Sequence, residues 1–372
     1  MNLYKRIYFG GLLSLCLCLF SISYVEAKSS DKIVSGNNGA IRYVGRTIAH
    51  MDGSVSFDWV GTYFETKFTG DRISIQLSET GTSYYNVFVD KKLHKVVKAC
   101  GTDTIINFVS GVGRGLHNLT IQKRTEGEFG KTTIHKFHLA PSGDLKIEHK
   151  TRNRHIEFIG NSLTCGYGVE GKDKNDPFKL ETENCNLSFS TIIARYFNAD
   201  YSLLAHSGLG AVRNYGDSVR VSAITMKDKM LQTFDMSSIE KWNYSSYHPD
   251  LVVINLGTND FSLEPQPYKS EFIKAYKQIL TQLREGYGQI PIICIYSCTI
   301  PAPVYNYYES LIAEMNDSNI HLIKLNNELL DERYDYGAVW HPNYSGHRKT
   351  AMSLIPIIST LMRWEMIEKR VE

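Results

Sequence analysis

Three features are scarce in this sequence of 372 residues, and each scarcity argues against a class of protein. After the N-terminal segment, no stretch reaches the roughly 18 apolar residues of a membrane-spanning helix. Surplus charge is absent, because 41 Lys and Arg stand against 39 Asp and Glu, a net charge of +2. A nucleic-acid partner is therefore not expected. Cysteine is scarce, with 7 in all, so the fold does not depend on a disulfide framework.

The remaining composition is that of a globular protein, with 42% hydrophobic and 22% charged residues. The length predicts two domains, at roughly 100–200 residues per domain. Residues 1–27 predict a cleaved signal peptide, with a charged head at Lys5 and Arg6, an apolar run from Gly10 to Phe20 and a small-residue end at Ala27. We therefore expect a soluble protein, secreted or periplasmic, without a membrane span.

Five cysteines remain after the predicted signal peptide, and no metal site or cofactor is expected. Cys165 and Cys185 could form a disulfide bridge, or both could be buried free thiols, which a chain of this size can accommodate in its core. The pair His135 and His138 lies in an alternating segment without an accompanying Cys or acid pair, which argues against a metal centre. No nucleotide-binding loop is present.

Short alternating segments dominate the first predicted domain, residues 28–150. The run Arg72–Leu77 alternates with a period of two, which is typical of a half-buried strand. Residues 85–90 and 117–121 predict further strands, and glycine-rich turns such as 111–115 separate them. Many short strands with regular turns predict an antiparallel β-sandwich of the jelly-roll type.

The second predicted domain, residues 151–372, alternates buried strands with helices. Its strands are expected near 155–159, 201–205, 251–256, 290–296 and 320–325, and its helices near 268–284 and 345–367. The continuously apolar run Leu251–Leu256 indicates a strand that is covered on both faces. This order predicts a three-layer α/β/α fold with a mainly parallel sheet. In such folds functional residues lie at the carboxyl ends of the strands.

Four short motifs follow strands or stand near the C-terminus: Gly-Asn-Ser-Leu-Thr at 160–164, His-Ser-Gly-Leu-Gly at 206–210, Gly-Thr-Asn-Asp at 257–260 and Trp-His-Pro at 340–342. Each alone has an ordinary structural interpretation, since a Ser after a strand commonly caps a helix and Gly-Thr-Asn-Asp forms turns. A literal Gly-Asp-Ser at 216–218 follows no hydrophobic strand. We interpret that second motif as a helix cap.

Taken together, the motifs resemble the SGNH (GDSL-type) hydrolase superfamily. Residues 160–164 resemble its Gly-Asp-Ser-Leu-Thr signature, and Gly208, Asn259 and His341 match its other three blocks. The extended motifs 161–168, 212–216 and 340–342, behind a β-sandwich, are similar to carbohydrate esterase family two, which is acetyl xylan esterase-like. The resemblance covers nearly the whole mature chain.

The resemblance implies a serine esterase that works through an acetyl-enzyme. Ser162 would be the nucleophile and His341 its base, because a serine hydroxyl attacks only when a neighbouring base takes its proton. The oxyanion would be bound by the backbone N–H groups of Ser162 and Gly208 and by the side-chain amide of Asn259.

The chain departs from the superfamily pattern near both catalytic residues. Position 161 is Asn where the family usually has Asp, and we expect its side chain to organise the turn. The acid commonly found two or three residues before the catalytic His is absent, since Val339 and Ala338 stand there. We expect a dyad whose imidazole is oriented by a backbone carbonyl near Val339, with Asp335 as the alternative.

The resemblance also implies the substrate, an acetylated polysaccharide or oligosaccharide of the xylan or glucomannan type. Tyr167, Arg213 and Trp340 are the candidate substrate-binding residues. The alternatives are that Trp340 packs the histidine loop and that Arg213 and Asn214 fix the loop after Gly208. Two other functions stay open: a GDSL-type lipid or thioester hydrolase, and a catalytically decayed carbohydrate-binding protein. The oligomeric state is not predicted.

Overall fold

The computed structural model describes residues 30–147 and 152–366. The predicted signal peptide and the predicted domain boundary at 150/151 lie outside these residues. Among the helices that are described, none combines the length and the apolar character needed to cross a bilayer.

Ten antiparallel strands form one curled sheet in the N-terminal half, which we call the sheet lobe. They are β1 (Lys32–Ser35), β2 (Arg42–Val44), β3 (Ile48–Ala49), β4 (Val55–Phe57), β5 (Tyr63–Thr69), β6 (Arg72–Val89), β7 (Lys92–Ser110), β8 (Leu116–Lys123), β9 (Thr132–Leu139) and β10 (Asp144–Lys146). The main path through the sheet runs β10-β5-β8-β6-β9-β4-β3.

The long strand β6 explains why the sheet curls. One edge of β6 pairs with β7, while the other edge pairs first with β9 and then, from Tyr85 to Val89, with β8. Register shifts between Leu77 and Thr82 mark the point where the strand bends and changes partner. Alternating side chains from both halves enclose one apolar core, which includes Phe57, Phe64, Phe68, Ile75, Val87 and Phe137. The predicted jelly-roll-like sandwich is therefore confirmed, as one antiparallel sheet that curls around this core.

A five-stranded parallel sheet forms the centre of the C-terminal half, which we call the hydrolase lobe. Its strands stand in the order β12-β11-β15-β16-β17. The strands of this half are β11 (His155–Gly160), β12 (Asp200–Ala205), β13 (Gln232–Phe234), β14 (Ser237–Lys241), β15 (Leu251–Asn255), β16 (Ile292–Tyr296) and β17 (Ile320–Lys324), of which β13 and β14 form a separate hairpin.

Helices cover both faces of this sheet. They are α1 (Ser162–Cys165), α2 (Phe189–Tyr196), α3 (Met226–Lys229), α4 (Lys269–Tyr287), α5 (Tyr305–Met315) and α6 (Tyr344–Met362). Residues of α2 and α6 share one apolar core with the sheet, and residues of α4 and α5 share the other. The predicted three-layer α/β/α fold is therefore confirmed.

The last helix ends earlier than the sequence pattern predicts. It stops at Met362, because Arg363 adopts a left-handed conformation with φ 53°. The Trp364 N–H then donates to the Ser359 carbonyl at 3.1 Å, and the indole packs on Phe197 with ring centroids 5.3 Å apart. Trp364 thus packs back on the lobe instead of continuing the helix.

Candidate active site

Ser162 stands at a tight turn between β11 and α1, at the carboxyl edge of the parallel sheet. The Asn161 side chain accepts a hydrogen bond from the Leu163 N–H at 3.2 Å, so it organises this turn as predicted. Gly160 is required here, since a Cβ on it would lie 2.1 Å from the Thr164 hydroxyl. The turn presents the Ser162 hydroxyl at the sheet edge, with 9% of the residue exposed.

The imidazole of His341 lies against Ser162. Its Nε2 is 2.9 Å from Ser162 Oγ, and its Nδ1 is 2.8 Å from the Val339 carbonyl oxygen. Because a carbonyl only accepts, Nδ1 carries the proton and Nε2 is left to accept from the Ser162 hydroxyl. The structure therefore brings together the two predicted catalytic residues, with a backbone carbonyl in the place of the missing acid.

An unusual backbone turn aims that carbonyl at His341. Val339 and Trp340 both have left-handed conformations, with φ 52° and 56°. A β-branched residue in this region is a genuine outlier, at a cost of about 1–3 kcal/mol. The loop before α2 holds the turn, since the Val339 N–H donates to the Asp176 carbonyl at 3.1 Å and the Trp340 N–H to the Lys174 carbonyl at 2.9 Å.

Asp335, the alternative orienting group, is engaged elsewhere. Its buried carboxylate accepts from the Ser345 hydroxyl and the Asp331 N–H, both at 2.7 Å, and from the Lys349 ammonium at 2.5 Å. These bonds tie the loop before His341 to the start of α6. The contact at His341 Nδ1 belongs to Val339 instead.

Asp335→Asn is expected to leave the chemistry almost intact. An aspartate that orients a catalytic histidine is worth about 10⁴-fold in kcat. Since Asp335 does not touch the imidazole, we expect kcat to fall by less than about tenfold, which is about 1.4 kcal/mol. Steady-state kinetics on nitrophenyl acetate, with thermal melting to verify folding, would measure this. A loss of several hundredfold in a folded variant would show that the dyad is wrong.

Burial lowers the pKa of His341 below its ordinary value of 6.5, against the opposing effect of its hydrogen bond to Val339. The neutral imidazole is the form that accepts the Ser162 proton, and a lowered pKa keeps it neutral to a lower pH. We therefore expect the acid limb of kcat/KM to have its midpoint below pH 6.5. A pH profile with nitrophenyl acetate measures it. A midpoint above 6.5 would indicate that a carboxylate, rather than a carbonyl, faces the imidazole.

Gly208 and Asn259 reach the same edge on neighbouring loops, because β12 and β15 flank β11 in the sheet. Gly208 has φ 80°, a conformation that favours glycine. Among the residues that the structure describes, no group accepts from its N–H. The Asn259 amide donates one N–H to the Leu209 carbonyl at 2.8 Å, which ties it to the Gly208 loop. Ser162, Gly208 and Asn259 thus stand on three adjacent loops.

Asp260 is a functional residue that the sequence interpretation missed. Its carboxylate is buried and accepts from three successive backbone N–H groups, those of Ala211, Val212 and Arg213, at 3.1, 2.7 and 2.9 Å. It therefore locks the Gly208 loop to the Asn259 loop. The only sequence signal is an acid directly after Asn259, which a turn would explain equally well.

The predicted substrate-binding role of Arg213 does not fit the structure. The side chain has 0% exposure, and its guanidinium donates to the carbonyls of Asp217 at 2.6 Å and Glu264 at 3.3 Å. Asn214 accepts from the Gly210 N–H at 3.2 Å. Both side chains fix the loop after Gly208, which is the alternative that the sequence left open.

Two aromatic residues lie beside the dyad: Tyr167 is half-buried, and Trp340 is exposed. The Tyr167 ring stacks on Phe178, with centroids 3.9 Å apart, and lies 4.7 Å from the His341 ring. Trp340 is 53% exposed, and the Lys174 ammonium lies 4.2 Å from its ring centroid. Tyr167 therefore supports His341 from the side, while Trp340 presents an open surface.

Two further sequence interpretations are settled by the structure. The Gly-Asp-Ser motif at 216–218 caps no helix, since the next helix begins at Met226; the Asp217 carboxylate accepts from the Ser222 hydroxyl at 2.5 Å in an irregular loop. The cap interpretation was therefore wrong. Cys165 and Cys185 are both buried free thiols and form no bridge.

Two family models match the chain in succession. The model described as carbohydrate esterase 2 N-terminal matches residues 43–146, which lie in the sheet lobe. The model of the GDSL-like lipase/acylhydrolase family matches residues 158–349, which include all the candidate active-site residues.

Curated relatives agree with these matches. The cellulase/esterase CelE of Acetivibrio thermocellus is 31% identical over 335 residues, or 88% of this chain, which spans only 40% of the length of CelE. An acetylxylan esterase/glucomannan deacetylase of Cellvibrio japonicus is 26% identical over 321 residues, 82% of this chain and 86% of the relative.

A solved structure extends the similarity to three dimensions. A family two carbohydrate esterase from Clostridium thermocellum, in complex with cellohexaose, superposes with a TM-score of 0.80 at 30% identity, over 87% of this chain and 100% of that one. The chain therefore belongs to the GDSL-like lipase/acylhydrolase family and, within it, to family two of the carbohydrate esterases, which are carboxylic ester hydrolases.

Proposed function

We propose that this protein is a secreted carbohydrate O-acetyl esterase that removes acetyl groups from hydroxyls of xylan or glucomannan. The observation that carries the proposal is the 2.9 Å contact between Ser162 Oγ and His341 Nε2 at the carboxyl edge of the sheet. The name of the Cellvibrio relative, which includes both xylan and glucomannan, supports the substrate. The predicted signal peptide supports secretion.

The acylation step follows from the geometry of the dyad. Ser162 Oγ attacks the acetyl carbonyl carbon while its proton passes to His341 Nε2. The charge that develops on the carbonyl oxygen is received by the N–H groups of Ser162 and Gly208 and by the second N–H of the Asn259 amide. The bond to the sugar oxygen then breaks, His341 returns the proton to that oxygen, and the acetyl group stays on Ser162.

Deacylation repeats the same steps with water. His341 takes a proton from water, the resulting hydroxide attacks the acetyl carbonyl carbon, and the bond to Ser162 Oγ breaks. Ser162 recovers its proton from His341, and acetic acid leaves and loses its own proton to the solvent. The Val339 carbonyl acts in both acylation and deacylation, because it holds Nδ1 as the protonated nitrogen and stabilises the imidazolium that forms in each step.

Two exposed aromatic residues are suited to bind the polymer beside the dyad. Trp340 precedes His341, and Tyr215, which is 60% exposed, donates its backbone N–H to the Gly208 carbonyl at 2.8 Å. Each is therefore anchored to one half of the catalytic machinery while its ring remains accessible. We propose that these rings stack on sugar residues, a role that the sequence suggested for Trp340 but not for Tyr215.

A panel of substrates tests the proposal. Acetate release would be measured from acetylated xylan, acetylated glucomannan, nitrophenyl acetate and a long-chain nitrophenyl ester. Turnover of the polysaccharides and of the short ester is expected. A preference for the long acyl chain would instead indicate a lipid or thioester hydrolase. Polysaccharide binding without turnover would indicate a carbohydrate-binding protein that has lost catalysis.

A further inference from the structure

A buried acid from the sheet lobe holds the oxyanion loop of the hydrolase lobe. Glu126 follows β8, has 0% exposure, and accepts from the Ser207 N–H at 2.5 Å and from the Ser207 hydroxyl. Ser207 directly precedes Gly208, whose N–H is the proposed oxyanion donor. The orientation of that donor is therefore set in part by a residue from outside the hydrolase lobe.

A second buried acid lies beside the first. Glu183 has 0% exposure, and neither of its carboxylate oxygens has a hydrogen-bond donor among the described residues. Ligand atoms of Glu183, Glu126 and Cys165 all lie within 4.8 Å of one another. Two ionised carboxylates this close in a buried site are strongly unfavourable, so the pair is expected to keep a proton.

The charge of Lys123 acts against the rise in the pKa of Glu183 but does not reverse it, and Lys123 makes no hydrogen bond to this acid. The ammonium of Lys123, also buried, donates to the backbone carbonyls of Thr125 at 2.7 Å and Glu126 at 2.9 Å. Burial and the charge of Glu126 raise the pKa of the Cys165 thiol well above its ordinary value, which makes it a neutral group. What remains is a proton between the two acids, or a cation bound by all three groups in their deprotonated forms.

We propose that Glu126 is a positioning residue for the oxyanion hole, and that Glu183 carries one proton which it donates to Glu126. The Glu126 carboxylate accepts both hydrogen bonds of Ser207, which fixes the backbone that leads into Gly208. The inference rests on the proposed function, since it assigns Gly208 to the oxyanion hole. Burial, followed by the charge of Glu126, also raises the pKa of Glu183 well above its ordinary value, in agreement with this protonation.

Two isosteric variants in the full-length protein, E126Q and E183Q, test the assignment of the proton. In E183Q the amide supplies permanently the donor that the protonated acid supplies, so kcat on nitrophenyl acetate is expected to stay within about threefold of wild type. In E126Q one of the two acceptors for Ser207 is lost, and displacement of Gly208 is expected to lower kcat by about 10–100-fold. KM should change by less than about threefold, because the oxyanion forms after binding.

The asymmetry between the variants is the result that a purely structural role would not produce. Equal losses in E126Q and E183Q, or a greater loss in E183Q, would overturn the proposal. Metal analysis of the purified protein is expected to find no stoichiometric metal, whereas one equivalent that both variants lose would show that the cluster binds a cation instead.

Infrared difference spectroscopy gives a readout that needs neither catalysis nor a folded E126Q. The wild-type protein is expected to show a protonated carboxylic acid band that is missing from E183Q. An unchanged band in E183Q would overturn the proposal. If the wild-type protein releases no acetate from any substrate, the proposed function fails by itself, and the band still decides the protonation of the pair.

Discussion

Replacing Ser162 with alanine is expected to lower kcat for acetate release by about 10⁶-fold, as removal of the nucleophile does in other serine hydrolases. The side chain stands 2.9 Å from the imidazole of His341, the base that the acylation step requires. His341→Ala is expected to cost a similar factor. The double variant should be no slower than either single variant, because the two groups act as one unit. Acetate release from nitrophenyl acetate measures all three.

Ser218→Ala provides the matched control. Ser218 belongs to the literal Gly-Asp-Ser motif of this chain, yet it is exposed in an irregular loop. Its loss is expected to change kcat by less than about twofold, since surface substitutions rarely cost more than about 0.5 kcal/mol. If Ser218→Ala abolished activity and Ser162→Ala did not, the active site would have been placed at the wrong serine.

The strand ends were predictable because a buried strand and the motif that follows it are both visible in a short stretch of sequence. The run Leu251–Leu256 predicts a doubly covered strand, and β15 occupies Leu251–Asn255. The loop that follows it carries Asn259, as expected for the carboxyl edge of a parallel sheet. The absence of an acid before His341 also favoured a backbone carbonyl, and Val339 supplies it.

The contacts that stabilise the site were not predictable, because they depend on long-range packing. Glu126 and Ser207 are 81 residues apart, and nothing in either local sequence predicts their hydrogen bonds. Arg213 lies next to the oxyanion loop in the sequence, which favoured a role in binding, but its burial depends on distant carbonyls such as that of Glu264. The left-handed φ of Val339 could not be predicted from the sequence either, because valine is rarely found in that conformation.

Asn259→Ala is expected to lower kcat by about 10²–10³-fold, the effect of removing one oxyanion donor. The structure explains why this amide is well placed, since one of its N–H groups is fixed on the Leu209 carbonyl at 2.8 Å and Asp260 locks the same loop. Only the second N–H is available to a substrate. KM should change by less than about threefold, because the donor acts mainly on charge that develops in the transition state.

The control for this variant is Thr258→Ala, whose hydroxyl contacts Thr299 at 2.9 Å on the surface. We expect it to stay within about twofold of wild type. The losses in Asn259→Ala should be the same for nitrophenyl acetate and for acetylated xylan, because both reactions pass through an oxyanion at the same acetyl group. A loss confined to the polysaccharide would mean that Asn259 binds sugar, and the oxyanion hole would then consist of backbone N–H groups alone.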